Sequence, residues 1–329
     1  MLEIVVCDDI DNAFLNSGEL VRLESSARVV VHNQVASNRE ELLARLRSAS
    51  VAVAIRDRTV LDRQILASLP QLRLIASTGP QRIDIRAAAE LGIVVAGTPG
   101  TSTVSVAEHV FGMILALARR IPHSDHALRQ RRWTPSAGLE LEGKTLGILG
   151  LGRTGSAVAK RAPAFGLHVI AWGPTLTPER AAASGASMVG EEELFRKADI
   201  LSVHLRRSEF SKGFVNSERL AWMKPTAFLI DISWEGIANH SSVAAALRGG
   251  KLGGAALDLC GTDPVSMDDP ILDAPGTVLT PHLAWQTRDA YQRAAALVTD
   301  NILAYLKGSP TNVVNPDALD SPRQLNRAL

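Results

Sequence analysis

The run Gly150-Leu151-Gly152-Arg153-Thr154-Gly155 matches G-x-G-x-x-G. An apolar, strand-like stretch at 145–149 precedes it, and a helical pattern at 156–164 follows. In that setting the glycines have separate tasks: Gly150 permits a tight turn, Gly152 lets a pyrophosphate approach the backbone, and Gly155 lets helix pack on strand. The helix start adds amide donors and a positive dipole end. Gly150, Gly152, Arg153, Thr154 and Gly155 are therefore expected to hold a dinucleotide. The next strand, 168–172, should end in an acid that binds the ribose hydroxyls of NAD. It runs instead into Gly173-Pro174-Thr175, with glycine where the acid would stand. No carboxylate is there to repel a 2′-phosphate, and Thr175, Thr177 and Arg180 are candidates to contact one. NADP or NAD is expected, with a lean towards NADPH.

The elements that must position these residues are legible as alternation. Short apolar runs at 29–31, 51–55, 72–76 and 93–95 read as strands, with helical patterns at 40–48 and 84–91 between them. A second alternating set spans 145–149, 168–172, 200–204, 227–230, 255–257 and 278–279. Such alternation argues for βαβ units and parallel sheets, hence an α/β protein with two Rossmann-like, doubly wound domains. The pattern at 105–120 is apolar nearly all round, which suits a domain or subunit contact, and Thr101-Ser102-Thr103 could cap it. A last helix is expected over 288–306, stopped by Gly308, with a loosely held tail after Pro316.

Bulk properties exclude several functions. The chain has 329 residues, 46% of them hydrophobic and 21% charged, a net charge of +1 and a sequence pI of about 7.9. That gives no electrostatic footprint for nucleic acid or an anionic membrane. The apolar run 110–118 is too short to span a bilayer. Cys7 and Cys260 fit neither a disulfide framework nor a metal spacing, so no metal site is expected. A cytoplasmic location is expected.

Further ordered stretches make the chain resemble the D-isomer-specific 2-hydroxyacid dehydrogenases. They are Ser77-Thr78-Gly79 to Ile83-Asp84, Gly92 to Val95, Val106-Ala107-Glu108 and Leu141 to Gly147. Others are Val203-His204-Leu205, Met223-Lys224-Pro225, Gly253 to Asp258 and Thr280-Pro281-His282. The resemblance implies a discontinuous substrate domain (1–101 with 286–329), a cofactor domain (102–285), an active site in the cleft between them and a homodimer. It implies that His282 protonates the substrate carbonyl while NAD(P)H gives a hydride, oriented by an acid that falls at Asp263. It also places His204, Ile232 and Asp258 on the cofactor side, Asp258 near the nicotinamide carboxamide. Arg56, Thr78 and Gly79 fall on the substrate side.

Two positions depart from that pattern. Asp263 stands where the family has glutamate. Trp234 stands where the family has the arginine that grips the substrate carboxylate. Indole offers one N–H and no charge, and a charge-assisted hydrogen bond is worth about 1.5–3 kcal/mol, roughly 10- to 150-fold. Three readings follow. Another arginine (Arg56, Arg58, Arg82 or Arg206) grips an acid substrate. Alternatively, the substrate is a ketone, aldehyde, imine or conjugated system against which Trp234 stacks. In the third, the protein binds a dinucleotide as a sensor or partner and catalyses little.

Overall fold

A computed structural model describes residues 2–56, 58–259 and 265–323. The chain divides into two compact units, Met1–Thr101 with Thr287–Leu329, and Ser102–Gln286. Both are α/β, as the alternation predicts.

The first unit holds a five-stranded sheet of β1 (Glu3–Cys7), β2 (Arg28–Val31), β3 (Val51–Ala54), β4 (Leu74–Ser77) and β5 (Val94–Ala96) in the order β2-β1-β3-β4-β5. Every ladder in it is parallel. β3 and β4 are buried along their whole length, which is why they read as unbroken apolar runs. One face packs on Leu46, Leu66 and Ala88; the other packs on Val298 and Ile302 of the long helix Arg288–Leu306. That last helix buries its apolar stripe on the first sheet, so the chain must return to this unit at its end.

The tail is held more firmly than its polarity suggests. Asn315 is 4% exposed; its Oδ1 accepts from the Val95 amide at 2.8 Å and its Nδ2 donates to the Ile93 carbonyl at 2.9 Å. Ala318 is buried, and Arg323 donates its backbone N–H to Gly92 and its guanidinium to Leu69 and Leu72 carbonyls. Thus the expectation of a loose tail is wrong up to Arg323. Side-chain amides there satisfy the backbone beside the edge strand, a signal that polarity alone does not carry.

The second unit holds β6 (Thr145–Leu149), β7 (His168–Trp172), β8 (Ser187–Met188), β9 (Ile200–Val203), β10 (Phe228–Asp231), β11 (Gly254–Asp258) and β12 (Thr277–Thr280). Their order is β12-β11-β10-β9-β6-β7-β8, again parallel. The order reverses at β6, which pairs with β7 on one side and β9 on the other. The crevice outside the carboxyl ends of β6 and β9 is therefore the ligand position of this sheet type. The helix expected at 105–120 is Thr103–Ala118. Val110, Met113 and Ile114 are buried in its own unit's core, and Ser102 at its N-cap makes no side-chain capping bond. Its apolar girth is spent on the sheet. Exposed apolar side chains fall just after it instead, at Ile121, Leu128 and Trp133.

The edge dependence on Asn315 is testable. Asn315→Ala leaves two buried backbone groups unpaired and should cost about 2–4 kcal/mol, read as a lower denaturant midpoint; a change under about 0.5 kcal/mol would mean water replaces the amide.

Candidate active site

β6 ends in the glycine turn. Gly150 has φ +98°, and a Cβ there would lie 2.9 Å from the His204 carbonyl carbon, so only glycine allows the turn to pass β9. A Cβ on Gly155 would lie 2.4 Å from the Gly150 oxygen, which makes it the helix–strand contact. A Cβ on Gly152 would meet nothing within 4 Å. Gly152 is also the N-cap of the nine-residue helix Arg153–Arg161, with no side chain bonded to its first amides. Open space, free amide donors and a positive helix end fit a pyrophosphate.

Around this turn, His204 follows β9 with Nε2 2.8 Å from Ser202 Oγ and a buried Nδ1 that has no hydrogen-bond partner among the described residues. Burial pushes its pKa down to about 3, so the ring is neutral at physiological pH. Gly173 follows β7, with Pro174 and Thr175 exposed beyond it. The Arg180 guanidinium reaches back to the Thr175 carbonyl at 2.6 Å and the Leu151 carbonyl at 3.5 Å. No carboxylate of the described residues pairs with it. A cation thus spans the glycine turn and the end of β7.

His282 lies just past β12 with φ +54°, a left-handed conformation that costs a non-glycine residue about 1–3 kcal/mol unless the surroundings enforce it. Asp258, at the end of β11 and 4% exposed, supplies that enforcement. Its Oδ1 accepts from Thr280 Oγ1 at 2.6 Å and the Leu283 amide at 2.7 Å; its Oδ2 accepts from the Ala284 amide at 2.8 Å. Both flanks of His282 are therefore tied to one carboxylate. Thr280 spends its proton on Asp258, so His109 Nε2, 3.1 Å from that hydroxyl oxygen, is assigned as its donor. The resemblance implies a carboxamide contact for Asp258; in the structure its oxygens are engaged by the histidine loop. His109 was not flagged by sequence reasoning, because a histidine on an apolar helix has no motif of its own.

Trp234 lies on the loop after β10. Asp231 accepts from the Ser233 amide at 2.8 Å and from its hydroxyl, an Asx turn that fixes the chain just before the indole. Ile232 lies within this turn. Gly236, at φ +85°, lets the loop close, and the Ile237 amide returns to the Trp234 carbonyl. The indole stands at 88° to the His282 ring with centroids 6.1 Å apart. Trp285, three residues beyond His282, stands at 69° and 6.4 Å. Two indoles thus flank the imidazole. Trp285 was missed because its neighbours in sequence suggest no role. Asp263 and Cys260 lie outside the described residues.

In the first unit, Arg56 has φ +60° and donates its amide to Thr78 Oγ1 at 2.8 Å, while the Gly79 amide donates to Ser77 Oγ at 3.0 Å. Arg58 donates through Nη1 to the Asp8 carbonyl and through Nη2 to Asp11 Oδ2. Arg82 and Arg206 are exposed. Cys7 is buried, and burial foremost, then Asp8, pushes its thiol up to about 12, which removes it as a nucleophile. Among the described residues no cluster of three or more His, Cys, Asp or Glu is placed to hold a metal, and no helix is long and apolar enough to cross a membrane.

A parallel sheet with a glycine turn at its switch point defines a dinucleotide-binding unit. The family profile of the D-isomer specific 2-hydroxyacid dehydrogenase, NAD binding domain, matches residues 111–284. The chain is 34% identical over 288 residues to a D-3-phosphoglycerate dehydrogenase of Archaeoglobus fulgidus, covering 86% of this chain and 54% of that protein. It is 35% identical over 293 residues to a glyoxylate reductase of Aeropyrum pernix, covering 85% and 87%. It superposes with TM-score 0.83 on an acyclic imino acid reductase solved with NADPH and D-Arg, at 26% identity, over 95% of this chain and all of that one. The chain therefore belongs to the D-isomer-specific 2-hydroxyacid dehydrogenase family. It spans a little over half the length of the phosphoglycerate dehydrogenases it matches.

Burial raises the Asp231 pKa above the usual carboxylate value, against the hydrogen bonds from Ser233, which lower it. The folded state then binds this proton more tightly than the unfolded chain does. Its stabilising effect is complete below the unfolded pKa of about 4 and is lost as pH rises through the folded pKa. Asp231→Asn should therefore gain stability relative to wild type at neutral pH, and the gain should vanish below about pH 4. Denaturant midpoints at the two pH values check this; a loss confined to neutral pH would contradict it.

Proposed function

We propose that this chain is an NAD(P)H-dependent oxidoreductase that reduces a C=O or C=N group whose neighbouring body is apolar or aromatic. Bound NAD(P)H supplies the hydride. His282 gives a proton to the carbonyl oxygen or imine nitrogen as the hydride reaches carbon, and Asp263 orients its ring. Asp258 keeps the loop conformation that presents it. Gly150, Gly152, Arg153, Thr154 and Gly155 hold the pyrophosphate, with Gly173, Pro174, Thr175, His204 and Ile232 completing the cofactor set.

The observation that carries the substrate reading is the Trp234 indole against His282. A planar apolar face stands where a guanidinium fork would grip a carboxylate. The similarity to a reductase of acyclic imino acids shows that this fold accommodates C=N reduction in a relative. A second reading, an acid substrate gripped by Arg56 with Thr78 and Gly79, is supported by one fact: the Arg56 amide donates to Thr78 Oγ1, which holds these positions together.

For the cofactor, we infer a preference for NADPH. Gly173 replaces the ribose-binding acid, and Arg180 brings a cation whose partners among the described residues are carbonyls to the end of β7. A homodimer is proposed through the exposed apolar side chains Ile121, Leu128 and Trp133 rather than through the buried helix before them.

Three measurements follow. NADPH oxidation should be compared for wild type and Trp234→Arg, with glyoxylate, with phenylpyruvate, and with phenylpyruvate plus methylamine. Wild type should favour the aromatic oxo acid or its imine, and Trp234→Arg should gain about 10-fold or more on glyoxylate; strong wild-type turnover of glyoxylate, unaffected by the substitution, would favour Arg56 as anchor. His282→Ala should lower kcat on the best substrate by about 10²–10⁴-fold; an unchanged kcat removes it as the acid. Arg180→Ala should raise KM for NADPH about 10-fold or more and leave that for NADH nearly unchanged. Equal losses would make Arg180 a structural residue.

A further inference from the structure

The first unit has a cavity of its own, away from Arg56 and Thr78. It measures about 290 Å³, just under the roughly 300–1,000 Å³ usual for pockets that take drug-sized ligands. Its position follows from topology. In the order β2-β1-β3-β4-β5 the chain passes from one side of β1 to the other, and the cavity walls include Asp8, just past β1, and Arg58 and Thr59, past β3. That is the switch point of this sheet, the place where open α/β sheets take ligands.

Three features of the wall set the ligand's chemistry. Asp8 is 2% exposed, at φ +56°. Its Oδ2 accepts from Thr59 Oγ1; its Oδ1 pairs with Arg45 Nη1 at 3.8 Å but accepts no hydrogen bond among the described residues. A buried carboxylate oxygen left like this costs free energy that a donor would recover. Next, the charges of the described lining residues balance, Asp8 and Asp62 against Arg39 and Arg58. A balanced wall favours a ligand carrying both charges over a simple anion or cation. The remaining wall is apolar: Leu42 and Ile65 are buried, whereas Val35 and Val60 stand 51% and 42% exposed at the cavity with nothing of the fold covering them.

We propose that this cavity is a binding site for a small zwitterion, a free aliphatic amino acid. Its ammonium donates to Asp8. Its carboxylate meets Arg39 and Arg58, whose guanidinium groups keep donors beyond those Arg39 uses on Asp62 and those Arg58 uses on Asp11 and the Asp8 carbonyl. Its side chain covers Val35 and Val60. Arg58 and Thr59 follow Arg56 on one loop, so an occupant here touches the same loop as the proposed substrate anchor. Binding itself requires no turnover and stands apart from the reaction proposed above.

Thermal unfolding and calorimetric titration of the full chain test this with glycine, L-alanine, L-valine and L-leucine at about 10 mM. Isobutylamine and isovalerate serve as valine lacking its carboxylate and valine lacking its ammonium. At least one amino acid should raise Tm by about 2 °C or more, and neither half-molecule should reach half that shift. Asp8→Asn should weaken binding about 10-fold or more. Because that side chain is buried, Val35→Trp is the second variant: it changes an exposed position, should leave the ligand-free Tm within about 1–2 °C, and should abolish the shift by filling the mouth. No shift with any of the four amino acids, equal shifts with the half-molecules, or a shift that survives Val35→Trp would each overturn the proposal.

Discussion

The dinucleotide-binding unit depends on one carboxylate. Asp258 sits at the carboxyl end of β11 and takes the Thr280 hydroxyl and the amides of Leu283 and Ala284. That anchor joins the His282 amide's bond to the Thr280 carbonyl and the Gln286 side chain's bond to the His282 carbonyl in holding His282 at φ +54°. A left-handed histidine relaxes unless both neighbours are fixed, and here they are fixed to the same group. The parallel register of β11 and β12, with Asp258 opposite Thr280, makes the anchor possible. Strand pairing is thereby converted into the orientation of a single imidazole.

The loop after β10 is built by similar means but yields a different surface. Asp231 ties down Ser233, and the next residue projects an indole towards His282. The carboxylate at this turn is buried, which raises its pKa, and beyond it two indoles stand against the histidine ring. The indoles offer planar apolar contact on either side of that ring. That contrast with a guanidinium fork is the physical basis for proposing a substrate outside the small hydrophilic oxo acids.

Much of the fold was legible because parallel strands buried on both faces read as apolar runs, and helices between them keep their own period. The glycine turn was legible for the same reason that it works: each glycine answers a steric demand visible in the coordinates. What escaped were long-range polar contacts. Nothing near Asn315 in sequence shows that its amide completes β5, and nothing near Arg323 shows that it reaches the Gly92, Leu69 and Leu72 carbonyls, so polarity after Pro316 does not reveal how that segment is held. Nothing near His109 shows that it meets Thr280, and nothing near Trp285 shows that it flanks His282. The helix at 103–118 was legible as apolar, but apolarity does not say whether a core or a partner receives it. Trp234 could be placed by register with the family, whereas its contact with the proposed acid required coordinates.

The central claim is that this chain moves a hydride to a carbon beside His282. Its most direct measurement uses NADPH deuterated on the transferred nicotinamide position, incubated with phenylpyruvate alone and with phenylpyruvate plus methylamine, and mass analysis of the products. The account predicts a reduced product carrying one deuterium on the former carbonyl or imine carbon. Unlabelled product, or no product while calorimetry shows NADPH bound, would contradict it.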